Sequence, residues 1–182
     1  VRIETERLVL RSWEARDFEP LSRILADPEV RRFYPKALSR DEARQVFDFA
    51  MRRQDEVGFH FGAAELKQDG RLVGLVGLGM IGDALRAVLR GQPAVEIGWQ
   101  FERAVWGQGL APEAARAWLA QGFEHLALPE IVAFTFVGNT PSRRVMEKLG
   151  MQRDPGDDFE HPNLEPGHRL RPHVLYRLAR PN

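Results

Sequence analysis

One mixed α/β domain spanning residues 1–182 is the fold class this chain predicts, and three observations carry the prediction. Strand-like and helix-like patterns follow in the order strand, two helices, three strands, helix, strand, helix, strand, with no internal repeat. Gln68-Asp69-Gly70 stands between two apolar runs and reads as the turn of a β-hairpin. The strand pattern of Val95–Phe101 leads through Gly107-Gln108-Gly109 into an apolar helical pattern, so a strand, a tight turn and a helix follow one another.

Arg7–Arg11 alternates weakly and opens the fold as a strand. Phe18, Leu21, Ile24 and Leu25 recur at helical spacing, and Asp27-Pro28 stops that helix because a residue before proline avoids helical backbone. Ser39-Arg40-Asp41-Glu42 has the form of a capping box and opens a second helix through Met51. The hairpin strands are Phe59–Leu66 and Arg71–Met80, and Gly74, Gly77 and Gly79 in the second predict bulges or close backbone approach. Residues 82–93 read as a loop or ragged strand extension, with at most a helical turn at Leu85, Val88 and Leu89. After Val95–Phe101 comes a helix from Leu110 to about His125, with the apolar face Ala111, Ala115, Trp118, Leu119 and Leu126. The continuous apolar run Ile131–Val137 is a buried strand, and Thr140–Leu149 is a short helix ended by Gly150. A loop-rich stretch over 154–172 precedes a last strand, His173–Leu178.

Composition narrows the function. The 26 basic and 26 acidic residues balance, so no global field draws the chain to nucleic acid or to an anionic membrane, and neither is expected as a partner. There is no cysteine, which excludes disulfides, thiolate zinc sites and a cysteine-bound acyl group. His161, His168 and His173 crowd the tail, but their spacing fits no helical two-histidine motif and no metal is expected. The longest apolar stretch, Leu72–Ile81, is short and glycine-rich, so no membrane span is expected. A cytoplasmic location is the expectation, given the lack of both cysteine and a signal-peptide pattern, and the chain is expected to be a monomer or homodimer.

Two stretches carry chemistry. In Trp106-Gly107-Gln108-Gly109-Leu110-Ala111-Pro112 the glycines let a ligand approach backbone N–H groups closely. The helix start that follows offers unpaired donors and a positive dipole end, the setting for a phosphate or pyrophosphate. In the second stretch a buried strand delivers Asn139 and Ser142, three residues apart, to another helix start. They are either an Asn cap with a proline in the first turn or a pair of polar groups aimed at a ligand. A nicotinamide dinucleotide fold fits poorly, since the glycine turn follows the fourth or fifth strand and lacks a third glycine.

Taken together, the chain resembles the GNAT superfamily of acyl-CoA-dependent N-acyltransferases, and within it the RimJ/RimL-like group of ribosomal-protein acetyltransferases. The resemblance runs from Thr5-Glu6-Arg7-Leu8-Val9-Leu10-Arg11 through Asp27-Pro28-Glu29-Val30, Leu72-Val73-Gly74 and Glu96-Ile97-Gly98-Trp99. It continues through Trp106-Gly107-Gln108-Gly109-Leu110-Ala111 to Asn139-Thr140-Pro141-Ser142 and Glu147-Lys148-Leu149-Gly150-Met151. Trp106 stands where the superfamily usually has Gln or Arg. The resemblance implies a mixed, mostly antiparallel sheet of six to seven strands, splayed at its centre and flanked by four helices. It implies acetyl-CoA as cosubstrate, its pantetheine arm lying against Ile97, Gly98 and Trp99 in the splay. The run headed by Trp106, with the N–H groups of Gly107, Gln108, Gly109, Leu110 and Ala111, would hold the pyrophosphate. Asn139 would bond the arm, and Ser142 would lie near the thioester.

The same resemblance implies direct attack of a neutral amine, of a small molecule or a protein N-terminus, on the thioester. The absence of cysteine fits this. Glu96 is the candidate base, directly or through water; an N–H near Gly98 or Trp99 is the candidate oxyanion donor; Ser142 is the candidate acid. Many members place a tyrosine acid one turn further along the last helix, where this chain has Met146. His161, beside the acidic residues 157–160, is a further candidate base or acceptor contact. Tyr176 is either core or catalytic, and the acidic run 154–160 either attracts a cationic acceptor or is a solvated loop. Without a working acid–base pair the same fold would be a non-catalytic acyl-CoA-sensing or protein-interaction module.

Overall fold

The computed structural model describes residues 1–181, which form two compact units. The first comprises Val1–Leu78 and Gly98–Trp118, the second Gly79–Ile97 and the residues from Leu119 onward.

In the first unit the strands β1 (Arg2–Glu4), β2 (Leu8–Arg11), β3 (Gly62–Leu66) and β4 (Leu72–Met80, of which Leu72–Leu78 belong here) pair antiparallel in chain order. Helices α1 (Phe18–Ala26) and α2 (Arg40–Val57) bury Phe18, Leu21, Leu25, Ala43 and Phe47 with Trp13 and Ala63 in one apolar cluster. The expected capping box starts α2: the Ser39 hydroxyl accepts from Glu42 N–H, and Ser39 N–H donates to the Glu42 carboxylate at 2.9 Å. The helix runs past Met51 to a left-handed Gly58 at φ +85°, since nothing in Arg52–Val57 opposes helical backbone. The hairpin turn lies where expected, with Gly70 at φ +69°. Gly74 answers a close approach, because a Cβ there would stand 2.4 Å from the Gln100 carbonyl oxygen. Arg11, 5% exposed, donates to Asp17 at 2.7 and 2.9 Å and to Glu65 at 2.7 Å, tying β2, the turn before α1 and β3 together in the interior.

Strand β5 spans Val95–Phe101, and its end, Gly98–Phe101, lies in the first unit with most of α4 (Leu110–Ala120). The helical path continues as a π turn over Gln121–His125, so the expected end near His125 holds.

In the second unit β9 (Pro172–Ala179) is the hub. It pairs antiparallel with β6 (Glu130–Phe136) over seven positions, from Glu130↔Ala179 to Phe136↔His173. It also carries β7 (Gln152–Arg153) and β8 (Phe159–Glu160). Helix α5 (Thr140–Lys148) and a single turn, α3 (Asp83–Arg86), complete the unit. Arg177 on β9 binds Asp157 at 2.6 Å and Glu130 at 2.9 Å.

The described residues thus hold nine strands and five α-helices, against the six to seven strands and four helices expected. The additions β1, β7, β8 and α3 have two to four residues, too short to generate a hydrophobic period. The expected splay has a counterpart in the register: the parallel pairing of β5 with β6 is Glu96↔Val132 alone. No helix among the described residues is long and apolar enough to cross a membrane.

Candidate active site

The glycine turn belongs to the first unit. Gly107 and Gly109 take left-handed φ values of +76° and +79°, which explains glycine at both positions. A Cβ on Gly107 would meet nothing within 4 Å, and one on Gly109 only Arg7 Nη2 at 3.6 Å, so the turn is open above its backbone. Among the described residues the N–H groups from Gly107 to Ala111 bond to no acceptor. Unbonded donors at a helix start, with an open surface over them, fit a pyrophosphate. Trp106 is held from outside the turn: its Nε1–H donates to Phe101 O at 2.8 Å, and the Arg32 guanidinium lies over its ring. Gln108 donates from its side chain to Ala104 O at 3.1 Å.

Two residues that sequence reasoning missed complete this turn. Arg7 donates through Nη1 to Gln108 O at 2.8 Å and through Nε to Glu113 at 2.7 Å, while Thr5 donates to Glu113 at 2.6 Å. Arg7 and Glu113 are 106 positions apart, so nothing local in one sequence signals their contact. Beside them runs a groove of about 460 Å³ lined by Arg7, Lys67, Arg71, Gln108 and Leu110 among others. Lys67 and Arg71 are themselves paired, with Glu4 and Glu102.

Gly98 has a different reason for being glycine. A Cβ there would come within 3.1 Å of the Phe61 ring, which is packed against the strand. Trp99 is half-buried.

In the second unit Glu96 stands at the one parallel register position. Its carboxyl makes no hydrogen bond or ion pair among the described residues. Burial alone pushes its carboxyl up to about 8, as expected where dense protein replaces water and no cation compensates. A carboxyl in that state is suited to take a proton near neutral pH. Ile97, next to it, is buried. Beyond Val132, β6 bonds to β9 on one side, and its other edge has no further register position with β5.

Asn139 caps α5: its side-chain oxygen accepts from Ser142 N–H at 3.3 Å and its amide donates to Thr135 Oγ1 at 2.8 Å. The capping reading of this residue is therefore realised. The Ser142 hydroxyl forms no hydrogen bond among the described residues. Met146, at the place of the expected tyrosine, is buried in the core. Tyr176, also buried, donates to Glu147 at 3.1 Å and accepts from Arg143 at 3.3 Å.

The two tail histidines converge. The His161 and His173 rings lie 4.9 Å apart, with Phe159 against both and Phe134 beyond it. Burial lowers both imidazoles, His173 to about 4. His173 Nδ1 lies 3.0 Å from Arg171 O, an acceptor only, so Nδ1 carries the proton and Nε2 keeps its lone pair. Among the described residues no group of three or more His, Cys, Asp or Glu is placed to hold a metal ion. The acidic run is not a free anionic surface: Asp154, Asp157, Asp158 and Glu160 each pair with an arginine.

The structure thus brings Glu96, Ile97, Asn139, Ser142 and His161 into the second unit, and Gly98, Trp99 and the residues from Trp106 to Ala111 into the first.

Residues 7–152 match the model of the acetyltransferase (GNAT) domain family. The Bacillus subtilis (strain 168) protein YkkB is 33% identical over 151 residues, covering 82% of this chain and 84% of that protein. The crystal structure of a GNAT-family acetyltransferase from Bacillus anthracis superposes with a TM-score of 0.80 at 27% identity, covering 99% of both chains. A spermidine N-acetyltransferase from Vibrio cholerae, solved with CoA and spermine, shares the fold with a TM-score of 0.72 at 18% identity, covering 95% of each chain. Matched to that family over residues 7–152, the chain belongs to the GNAT acetyltransferases and is an N-acetyltransferase that uses acetyl-CoA.

Proposed function

We propose that the chain, acting as a single acetyltransferase domain of the RimJ/RimL-like type, passes the acetyl group of acetyl-CoA directly to a primary amine of a small molecule or a protein N-terminus. The observation that carries this reading is Glu96, a partnerless carboxyl pushed up to about 8 by burial. A thioester-borne acetyl group is the chemistry that the cosubstrate supplies. Glu96 takes the proton that the amine nitrogen must lose as its bond to the acetyl carbon forms. Ser142, whose hydroxyl is unengaged, donates a hydrogen bond to the departing thiolate sulfur, which takes its proton from solvent. Backbone N–H groups at Ile97 to Trp99 take the arm, and those from Gly107 to Ala111 take the pyrophosphate. His161 borders the acceptor.

The Vibrio cholerae neighbour holds spermine, which supports an amine acceptor. A polycation is not the acceptor favoured here, because the carboxylates of 154–160 are already matched by arginines.

Thermal unfolding with acetyl-CoA, CoA, NAD and ATP titrated separately tests the reading, on the wild type and on Gly109→Val. Ligand at a hundredfold over its Kd stabilises by about 2.7 kcal/mol. Stabilisation by acetyl-CoA and CoA that Gly109→Val removes is the expected result, followed by thiol release when primary amines are screened. Stabilisation by NAD or ATP instead, or thiol release with no amine, would overturn it.

A further inference from the structure

Thr5-Glu6-Arg7 carries part of the family resemblance, yet nothing in the proposed reaction uses it. Its polar atoms nonetheless converge on the cradle. The forked guanidinium of Arg7 spans two acceptors: Nη1 reaches Gln108 O at 2.8 Å, and Nε and Nη2 reach the Glu113 carboxylate at 2.7 and 2.6 Å. The other Glu113 oxygen accepts from Thr5 Oγ1 at 2.6 Å and from Arg7 N–H at 2.9 Å.

Two consequences follow for the turn. In a trans peptide the C=O and N–H point in opposite directions. Fixing Gln108 O on the guanidinium therefore aims Gly109 N–H away from Arg7, so that the Glu113 pairing does not occupy this donor. Glu113 lies in the first turn of α4, where a carboxylate favours the helix but would repel an approaching phosphate. Arg7 cancels that charge. Burial raises the Glu113 carboxyl, but the bonds from Thr5 and Arg7 prevail and hold it below the usual carboxylate range. A lysine ammonium does not reproduce this pattern, because only the planar fork offers several donors in fixed directions.

We propose that Arg7, braced by Thr5 and Glu113, is a positioning residue that presets the cradle for the pyrophosphate, orienting the Gln108–Gly109 peptide and neutralising the first turn of α4. The proposal rests on the reading of Gly107–Ala111 as the pyrophosphate site.

The test compares CoA with pantetheine, which lacks the pyrophosphate, by calorimetric titration of the full chain, together with KM and kcat for acetyl-CoA. The wild type should prefer CoA strongly. In Arg7→Met that preference should shrink about tenfold, the size expected for one misaligned charge-assisted bond, with KM for acetyl-CoA rising more than kcat falls. Arg7→Lys, which keeps the charge beside Glu113, should fall between the two and serves if Arg7→Met does not fold. Parallel weakening of CoA and pantetheine in either variant, or an unchanged preference, would overturn the positioning role while leaving the cradle in place. A wild type with no preference for CoA would instead sink the cradle reading itself, and this proposal with it.

Discussion

Glu96 and His173 project from the same face of the second unit's sheet, opposite the face that α5 covers. The register fixes this: Glu96 pairs with Val132, Phe136 lies four residues further along β6, and Phe136 pairs with His173. The alternate residues Thr135 and Tyr176 face the other way, where they bond Asn139 and, through the tyrosine, Arg143 and Glu147 of α5. The groups able to take a proton from an amine are thus separated from the helix that carries Ser142.

Removing the Glu96 carboxylate should lower kcat about 10²–10⁴-fold in Glu96→Gln while CoA affinity stays near the wild-type value. Deprotonated Glu96 is the working base, so the wild-type rate should rise with pH through about 8. Stability should run the other way. The native carboxyl holds a proton that the unfolded chain releases above 4.5, so its contribution is complete below 4.5 and lost as pH rises through about 8. Steady-state rates and urea unfolding on both sides of that pH, for wild type and Glu96→Gln, check both slopes. A variant that keeps the wild-type rate profile removes Glu96 as base.

For His173 the window is acidic. Its native imidazole is lowered from 6.5 to about 4 by burial, so the unfolded chain binds a proton first as pH falls. The folded protein should therefore lose stability between 6.5 and about 4, and His173→Phe should flatten part of that loss. Melting temperatures across this range decide it; an unaltered slope in the variant would assign the loss to other groups, His60 foremost, which burial also lowers to about 4.

Asp17→Ala should destabilise the chain by about 3–5 kcal/mol, because it strips the buried Arg11 guanidinium of its bidentate partner. The double change Arg11→Met with Asp17→Leu should cost less than the single one, since the one charge it leaves behind, Glu65, is still met by Arg16 at 3.4 Å. Guanidinium chloride unfolding of the two variants gives the comparison.

Much of this was legible in the residues. Ser39 and Glu42 announced α2, Asp69-Gly70 the hairpin, and Gly107 and Gly109 the turn with positive φ, because caps and tight turns are decided within a few neighbouring residues. Glu96 was legible as a candidate through resemblance, but not its perturbed carboxyl, which depends on the protein packed around it. The Arg7–Glu113 clamp and the His161–His173 contact were not legible, because each joins residues brought close only by the folded sheet. The arginine pairing of Asp154 to Glu160 was hidden for the same reason: Arg90 and Arg171 reach it from elsewhere in the chain.

The central place of β9 bears on how the protein is made. Strands β6, β7 and β8 all lean on a strand that the ribosome delivers after every one of them. At roughly 5–20 residues per second, β6 emerges and waits a few seconds with an apolar edge exposed before its partner exists. During that interval the nascent chain is most open to chaperone capture and to pairing with a neighbouring copy. A translation pause placed between Phe136 and Pro172 would lengthen the hazard, and faster codons there would shorten it.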